Sequence, residues 1–123
     1  MNEKVIKVFK ENIWHVATVG EMPNVVPIGI KDVMDDGKFV FENNFLDKTL
    51  ANILENGKVA ISAFGGDPME GYQVKGKAEY VTEGEIIDHL RVLGGELPGH
   101  GAVVVTVEEV YVTTPGADAG KKL

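Results

Sequence analysis

The chain contains no cysteine, which removes disulfides, thiol nucleophiles and thiolate metal sites together. Its only arginine is Arg91, so one subunit cannot assemble a multi-arginine clamp for a polyanion. Any bound phosphate must rely on lysine, hydroxyls and backbone amides. Acidic residues outnumber basic ones, 19 to 12, for a formal net charge of −7. Nucleic acid is therefore not an expected partner, because a phosphate backbone calls for a basic stripe. No apolar run exceeds a few residues, far short of the roughly 20 that cross a bilayer, and no membrane partner is expected. The opening MNEKVIKVFKEN mixes charge with apolar residues and has no signal-peptide core, so a cytoplasmic location is the expectation.

Catalytic signatures are also scarce. His15, His89 and His100 lie far apart, without the H-x-x-x-H spacing of a metal site, and no metal is expected. GGDPMEG (65–71) has three glycines but not the GxxxxGK[ST] spacing of a phosphate loop, and Gly94-Gly95 fails the dinucleotide fingerprint. There is no nucleophile elbow and no Ser–His–Asp set. Asp35-Asp36 and Glu108-Glu109 are adjacent pairs whose side chains point to opposite faces of a strand, so neither forms an acid–base dyad. No catalytic residue is assigned, and hydrolysis is not expected.

What is present is an ordinary globular composition, 44% hydrophobic and 25% charged over 123 residues, which fits one domain, 1–123. Val5, Ile6, Phe9 and Ile13 keep helical spacing and predict a short amphipathic N-terminal helix. Strand patterns follow at 13–19, 25–34 and 38–43, with Asp36-Gly37 as a hairpin turn; together they read as a three-stranded meander. Asp47 is an N-cap candidate for a helix over 47–56 that stops at Asn56-Gly57. Strands are predicted at 58–64, 72–81 and 102–113, and a further helix at 83–93. In the first strand Trp14 is expected to face inward and His15 outward. Six strands with two or three short helices describe an α+β, mainly β protein built on a small antiparallel barrel.

Two details break the pattern. Lys48 and Thr49 open the helix 47–56, where a cation faces the positive end of the dipole at a cost of about 0.3–1 kcal/mol if exposed. A plain surface lysine is one explanation, and a shared anion is another. Pro27 and Gly29 lie inside a strand pattern, which marks an edge, a bulge or the close approach of another group.

Three stretches, VATVGEMPNVVPIGI (16–30), FENNFLDKTLANILENGKVAI (41–61) and GYQVKGKAEY (71–80), resemble the FMN-binding split β-barrel family related to pyridoxamine 5′-phosphate oxidase. Their order and spacing are similar to those of its small stand-alone FMN-binding proteins. The resemblance implies a six-stranded antiparallel split β-barrel and a homodimer with FMN at the subunit interface. It implies that Lys48 and Thr49 meet the FMN phosphate at the helix N-terminus, where free N–H groups and the dipole favour an anion. The segment containing Pro27, Ile28, Gly29 and Ile30 would pass beside the isoalloxazine ring, with Gly29 leaving room for it. Asn43 and Asn44 would reach phosphate or ribityl oxygens. Tyr72 and Gln73 would complete the pocket from the facing subunit, and Leu123 would lie near the dimethylbenzene edge, although GADAGKKL reads as a mobile tail.

By that resemblance the chain is expected to be an FMN-binding redox protein, a flavin-dependent oxidoreductase or electron carrier served by a redox partner. The alternatives are a non-catalytic module that stores or senses flavin, and a reductase that binds a deazaflavin. Oxidation of pyridoxamine phosphate itself is not expected. The oxidases recognise that substrate with arginine and histidine near a longer C-terminus, whereas AVVVTVEEVYVTTPGADAGKKL has neither.

Overall fold

A computed structural model describes all 123 residues. The elements run α1 (Glu3–Glu11), β1 (Trp14–Val19), β2 (Pro23–Ile28), β3 (Lys31–Val33), β4 (Phe39–Asn43), α2 (Lys48–Asn56), β5 (Lys58–Gly65), β6 (Glu70–Val81), α3 (Glu85–Gly94) and β7 (Gly101–Val112). One antiparallel sheet of seven strands has the order β2-β1-β5-β6-β7-β4-β3. It curls into an open half-barrel, so the expected class stands with seven strands in place of six.

The extra strand comes from the segment 25–34, which is two strands and not one. β2 pairs with β1, from Trp14 opposite Ile28 to Val19 opposite Pro23. At Gly29-Ile30 the chain leaves that edge and crosses to the other, where β3 pairs with β4. The expected meander is thus two hairpins at opposite ends of the sheet. The β3–β4 turn is the predicted one: Gly37 takes φ +89°, and the Asp36 carboxyl accepts from the Lys38 N–H at 3.0 Å. The two edges do not pair, and the seam between them is spanned only by Gly29-Ile30.

The half-barrel is filled by α1 and the inward faces of the strands. Asn2 caps α1 by accepting from the Val5 N–H at 3.0 Å, and Val5, Val8 and Phe9 are buried. Ile13 lies past the helix and is half exposed. Phe9, Trp14, Phe39 and Phe41 form a connected aromatic group, with the closest ring centroids 4.8 Å apart. Trp14 faces inward and His15 outward, as alternation requires. The indole N–H of Trp14 donates to the Phe9 carbonyl at 2.6 Å, closing α1 onto β1.

β4 is buried on both faces. Phe39 and Phe41 join the barrel core, while Val40 packs outward with Ile87 and Leu90 of α3. Glu42 follows Val40 on that outer face. The C-terminal tail, expected to be loose, folds back along β7: the Leu123 N–H donates to the Val110 carbonyl at 2.8 Å, and the Val112 N–H to the Lys121 carbonyl at 2.9 Å.

Candidate functional site

The open seam holds a cavity of about 530 Å³. It is lined by Val26, Pro27, Ile28, Gly29 and Ile30, by Glu42 and Asn44 and by Phe45 to Thr49 at the start of α2, with Asn24 and Leu97 completing the lining; the Glu42 N–H donates to the Ile30 carbonyl at 3.0 Å. Of the residues expected to meet a ligand, Pro27, Ile28, Gly29, Ile30, Asn44, Lys48 and Thr49 converge here. The crossover explains the convergence: it carries 26–30 past the end of β4 and the start of α2.

The N-terminus of α2 is bare. Asp47 was expected to cap it, but its backbone sits at φ −125°, ψ −84°, and its side chain makes no capping bond. There is no acidic residue in the first turn. Lys48 is exposed and makes no ion pair within the chain. The first-turn N–H groups and a free ammonium therefore face the cavity mouth together, the arrangement that favours a bound anion.

Thr49 is almost fully buried, 1% exposed. Its hydroxyl oxygen accepts from the Asn24 amide at 3.0 Å, which leaves the hydroxyl hydrogen to donate. The Asn52 amide donates to Thr18 Oγ1 at 3.1 Å, and the Asn56 amide to the Val19 carbonyl at 2.7 Å. These bonds fix α2 against β1 and β2. Gly57, in the left-handed conformation at φ +67°, ends the helix as its sequence predicts.

Gly29 has no internal reason to be glycine. Its φ is not in the left-handed region, and an added Cβ would meet only the Ile13 Cδ1 at 3.8 Å. Gly29 itself lines the cavity. Past the end of β4 the Asn44 amide donates to Glu42 Oε1 at 2.9 Å, and its carbonyl oxygen accepts from the Gly99 N–H at 2.7 Å. Asn44 thus ties β4 to the loop 95–100, which brings Leu97 to the cavity. The Arg91 guanidinium holds the same loop through the Gly99 carbonyl at 3.0 and 3.3 Å.

The remaining expected residues lie elsewhere on the chain. Asn43 is buried with its amide committed, donating to the Tyr80 hydroxyl at 2.8 Å and accepting from the Leu46 N–H at 3.1 Å. Tyr72 belongs to the barrel core, where burial and the Glu70 carboxyl hold its phenol above the usual tyrosine range. Gln73 is half-buried in β6, opposite Ser62 and Tyr111. Leu123 lines a separate cleft with Met1 and the β3–β4 turn.

Several lining residues escaped the sequence reading: Asn24, Glu42, Phe45 and Leu97. For Glu42 a signal existed. In KFVFEN it shares a face with Val40, and a carboxyl on a face that also carries buried valine is out of place. Asn24 reads only as a turn former, and Leu97 only as part of a glycine-rich loop. No cluster of His, Asp and Glu has metal-holding geometry, and no helix is long and apolar enough to cross a membrane.

The model of the pyridoxamine 5′-phosphate oxidase family matches residues 2–114. The chain belongs to this family. A relative in Methanocaldococcus jannaschii, an uncharacterized protein, is 37% identical over 129 residues, covering 98% of this chain and 86% of its own length. Among solved structures, HupZ of Group A Streptococcus is similar with a TM-score of 0.83 and 27% identity, over 98% of this chain and 99% of that one. An FMN-binding protein of Syntrophomonas wolfei has a TM-score of 0.82 over 94% of this chain and 87% of that one. At 20% identity the second likeness is one of fold.

Proposed function

We propose that the chain is an FMN-binding redox protein, with the FMN phosphate at the N-terminus of α2 and the flavin lying along 26–30. The single observation that carries this reading is the uncapped first turn of α2, which opens with Lys48 and Thr49 onto the same cavity as the bare Gly29 backbone. The residues fit the group. An anion is favoured by the unbonded N–H groups and the ammonium, a hydroxyl donor is free on Thr49, and a flat ring can approach Gly29 without meeting a side chain. The name of the Syntrophomonas protein of similar fold supports the same cofactor.

Bound FMN would supply hydride and one-electron transfer. The chain's own contribution is to anchor one end through Lys48 and Thr49, to hold the ring between the 26–30 wall and Leu97, and to limit water access from the α2 side. No side chain is assigned a proton-transfer role. Pyridoxamine phosphate oxidation is not part of this reading.

A homodimer belongs to the proposal, because the cavity is open on one side and rimmed by uncovered apolar groups. Phe45 is 79% exposed although it lines the cavity, and Val25 is 63% exposed on the neighbouring edge strand. A second copy would cover them and bring Tyr72, Gln73 or Leu123 to the open side. Sedimentation of the flavin-loaded protein is expected to give a dimer; a loaded monomer overturns that part.

The visible spectrum of the purified protein, followed by the mass of any released chromophore, tests the cofactor. A flavin spectrum with FMN released supports the reading. A released deazaflavin redirects it to a deazaflavin reductase. A colourless protein that does not take up added FMN overturns it. Turnover with NAD(P)H and an electron acceptor separates a catalyst from a module that only stores or senses flavin.

A further inference from the structure

The inward positions of β1 are Trp14, Val16 and Thr18, and those of β2 are Asn24, Val26 and Ile28. The four apolar ones belong to the barrel core or pack against it. The two polar ones, Thr18 and Asn24, stand opposite each other in the β1–β2 ladder. Thr18 is 5% exposed and Asn24 is half-buried. Polar side chains at core positions need partners, and α2 supplies them.

The Asn24 amide nitrogen carries two hydrogens and meets two hydroxyl oxygens, Thr49 Oγ1 at 3.0 Å and Thr18 Oγ1 at 3.5 Å. The Asn52 amide, about one turn further along α2, donates to the same Thr18 oxygen at 3.1 Å. Gly20 makes room for it: an added Cβ there would fall 2.6 Å from Asn52 Oδ1. A hydroxyl has two acceptor positions and one hydrogen. Two N–H groups can therefore share Thr18, whereas two amide carbonyls could not. With both amides donating, each contact at Thr18 is satisfied. At Thr49 the same direction engages the oxygen on the β2 side and turns the hydrogen away from Asn24.

We propose that Asn24 is a positioning residue for the phosphate end of the cavity. By donating to Thr49 it sets that hydroxyl as a donor, and Thr18, itself held by Asn52, anchors Asn24. The inference rests on the flavin reading and adds to it a residue that acts through Thr49. A free hydroxyl rotates to suit a donor or an acceptor alike. One whose oxygen is already engaged favours an acceptor, and a phosphate offers only acceptors. Asn24 thereby sharpens the preference for the phosphorylated ligand over the same ring and ribityl chain without phosphate.

The test measures the ratio of FMN to riboflavin affinity by fluorescence titration. It compares wild type, Asn24→Ala, Thr49→Val and the double variant, with circular dichroism confirming each fold. Thr49→Val removes the donor and is expected to lower the ratio about tenfold or more, as for a hydrogen bond to a charged group. Asn24→Ala frees the hydroxyl without removing it and is expected to lower the ratio about threefold to tenfold. In the Thr49→Val background the Asn24 substitution should change the ratio no further, because its effect passes through the hydroxyl. A residue that only braced α2 would weaken both ligands alike; an unmoved ratio therefore overturns the proposal, as does an equal drop in both backgrounds. Should Asn24→Ala or Thr49→Val not fold, Asn24→Leu and Thr49→Ala carry the same comparison. These outcomes leave the flavin reading standing. Wild type that binds neither ligand overturns that reading and this proposal with it.

Discussion

α1 and α2 are both nine residues long and amphipathic, yet their ends are treated in opposite ways. α1 starts with a side-chain cap from Asn2 and an acid at Glu3, and has Lys10 in its last turn. Its final carbonyls are met by Lys31, whose ammonium donates to the Phe9 and Lys10 carbonyls at 3.0 and 2.9 Å. α2 starts without a cap and with a lysine where α1 has a glutamate. The same dipole is satisfied internally in one helix and left facing a cavity in the other. A helix that completes its own hydrogen bonds serves the fold, while one that leaves them open is available to a ligand.

The sharpest way to break this contrast is to give α2 the start that α1 has. Lys48→Glu is expected to weaken FMN by more than the ~1.5–3 kcal/mol typical of a hydrogen bond to a charged group, because repulsion of the phosphate adds to the lost contact. The same change should stabilise the ligand-free chain by about 0.3–1 kcal/mol. Thermal unfolding with and without FMN measures both, and a stabilised variant that still bound FMN tightly would refute the phosphate role. Lys48→Ala is the milder form, with an expected loss of ~1.5–3 kcal/mol for FMN and little change for riboflavin. Equal losses for the two ligands would assign Lys48 to structure.

The reciprocal experiment is Asn2→Ala in α1. It removes a cap and is expected to cost about 1 kcal/mol of stability with flavin affinity unchanged, as chemical denaturation and titration would show. A change in affinity would mean that the two helices are not independent.

The smallest effect concerns how α1 is tied to the sheet. Asp32 of β3 lies 3.6 Å from the Lys10 ammonium and 2.8 Å from His89 Nε2 of α3. Burial pushes its carboxyl upward, but the hydrogen bonds from His89 and the Val33 N–H, with the Lys10 charge, outweigh it and leave Asp32 below the ordinary carboxylate value. A group lowered in the folded state stabilises fully above its unfolded value, about 3.9, and loses that contribution as pH falls through the folded value. Wild type should therefore unfold at a higher temperature than Asp32→Asn at neutral pH, and the gap should close in acid. A gap that widened in acid would contradict the assignment.

Local features of the fold were largely legible. The Asp36-Gly37 turn, the Asn56-Gly57 stop, the inward Trp14 and the burial of Val5 and Phe9 each follow from spacing and residue chemistry within a few positions. The division of 25–34 was not, because VVPIGIKDVM keeps a strand pattern throughout and only pairing partners far along the chain place its halves on opposite edges. At the site, Lys48 and Thr49 stood out because they contradict a local rule, and Gly29 because it interrupts a strand. Asn43 and Asn44 look alike in sequence, but alternation along β4 turns Asn43 toward Tyr80 while Asn44 reaches the loop 95–100. Asp47 was read as a cap because its residue type fits, but its backbone angles do not permit it. Glu42 shares a face with Val40 in the sequence, but the cover on that face comes from α3, more than forty residues later.

The strand order also constrains when the cavity can exist. Without β7 the sheet has two pieces that share no strand pairing, β2-β1-β5-β6 and β4-β3. The cavity is lined by residues of both, Val26 to Ile28 from the first and Glu42 from the second. Residues 101–112 pair with both β6 and β4 and so join the two pieces within the sheet. During synthesis the sheet around the cavity is therefore completed late, with the last strand, and the non-local pairing it requires is the slow kind. A ligand bridging the two pieces would act as a clasp across a joint that the polypeptide closes last.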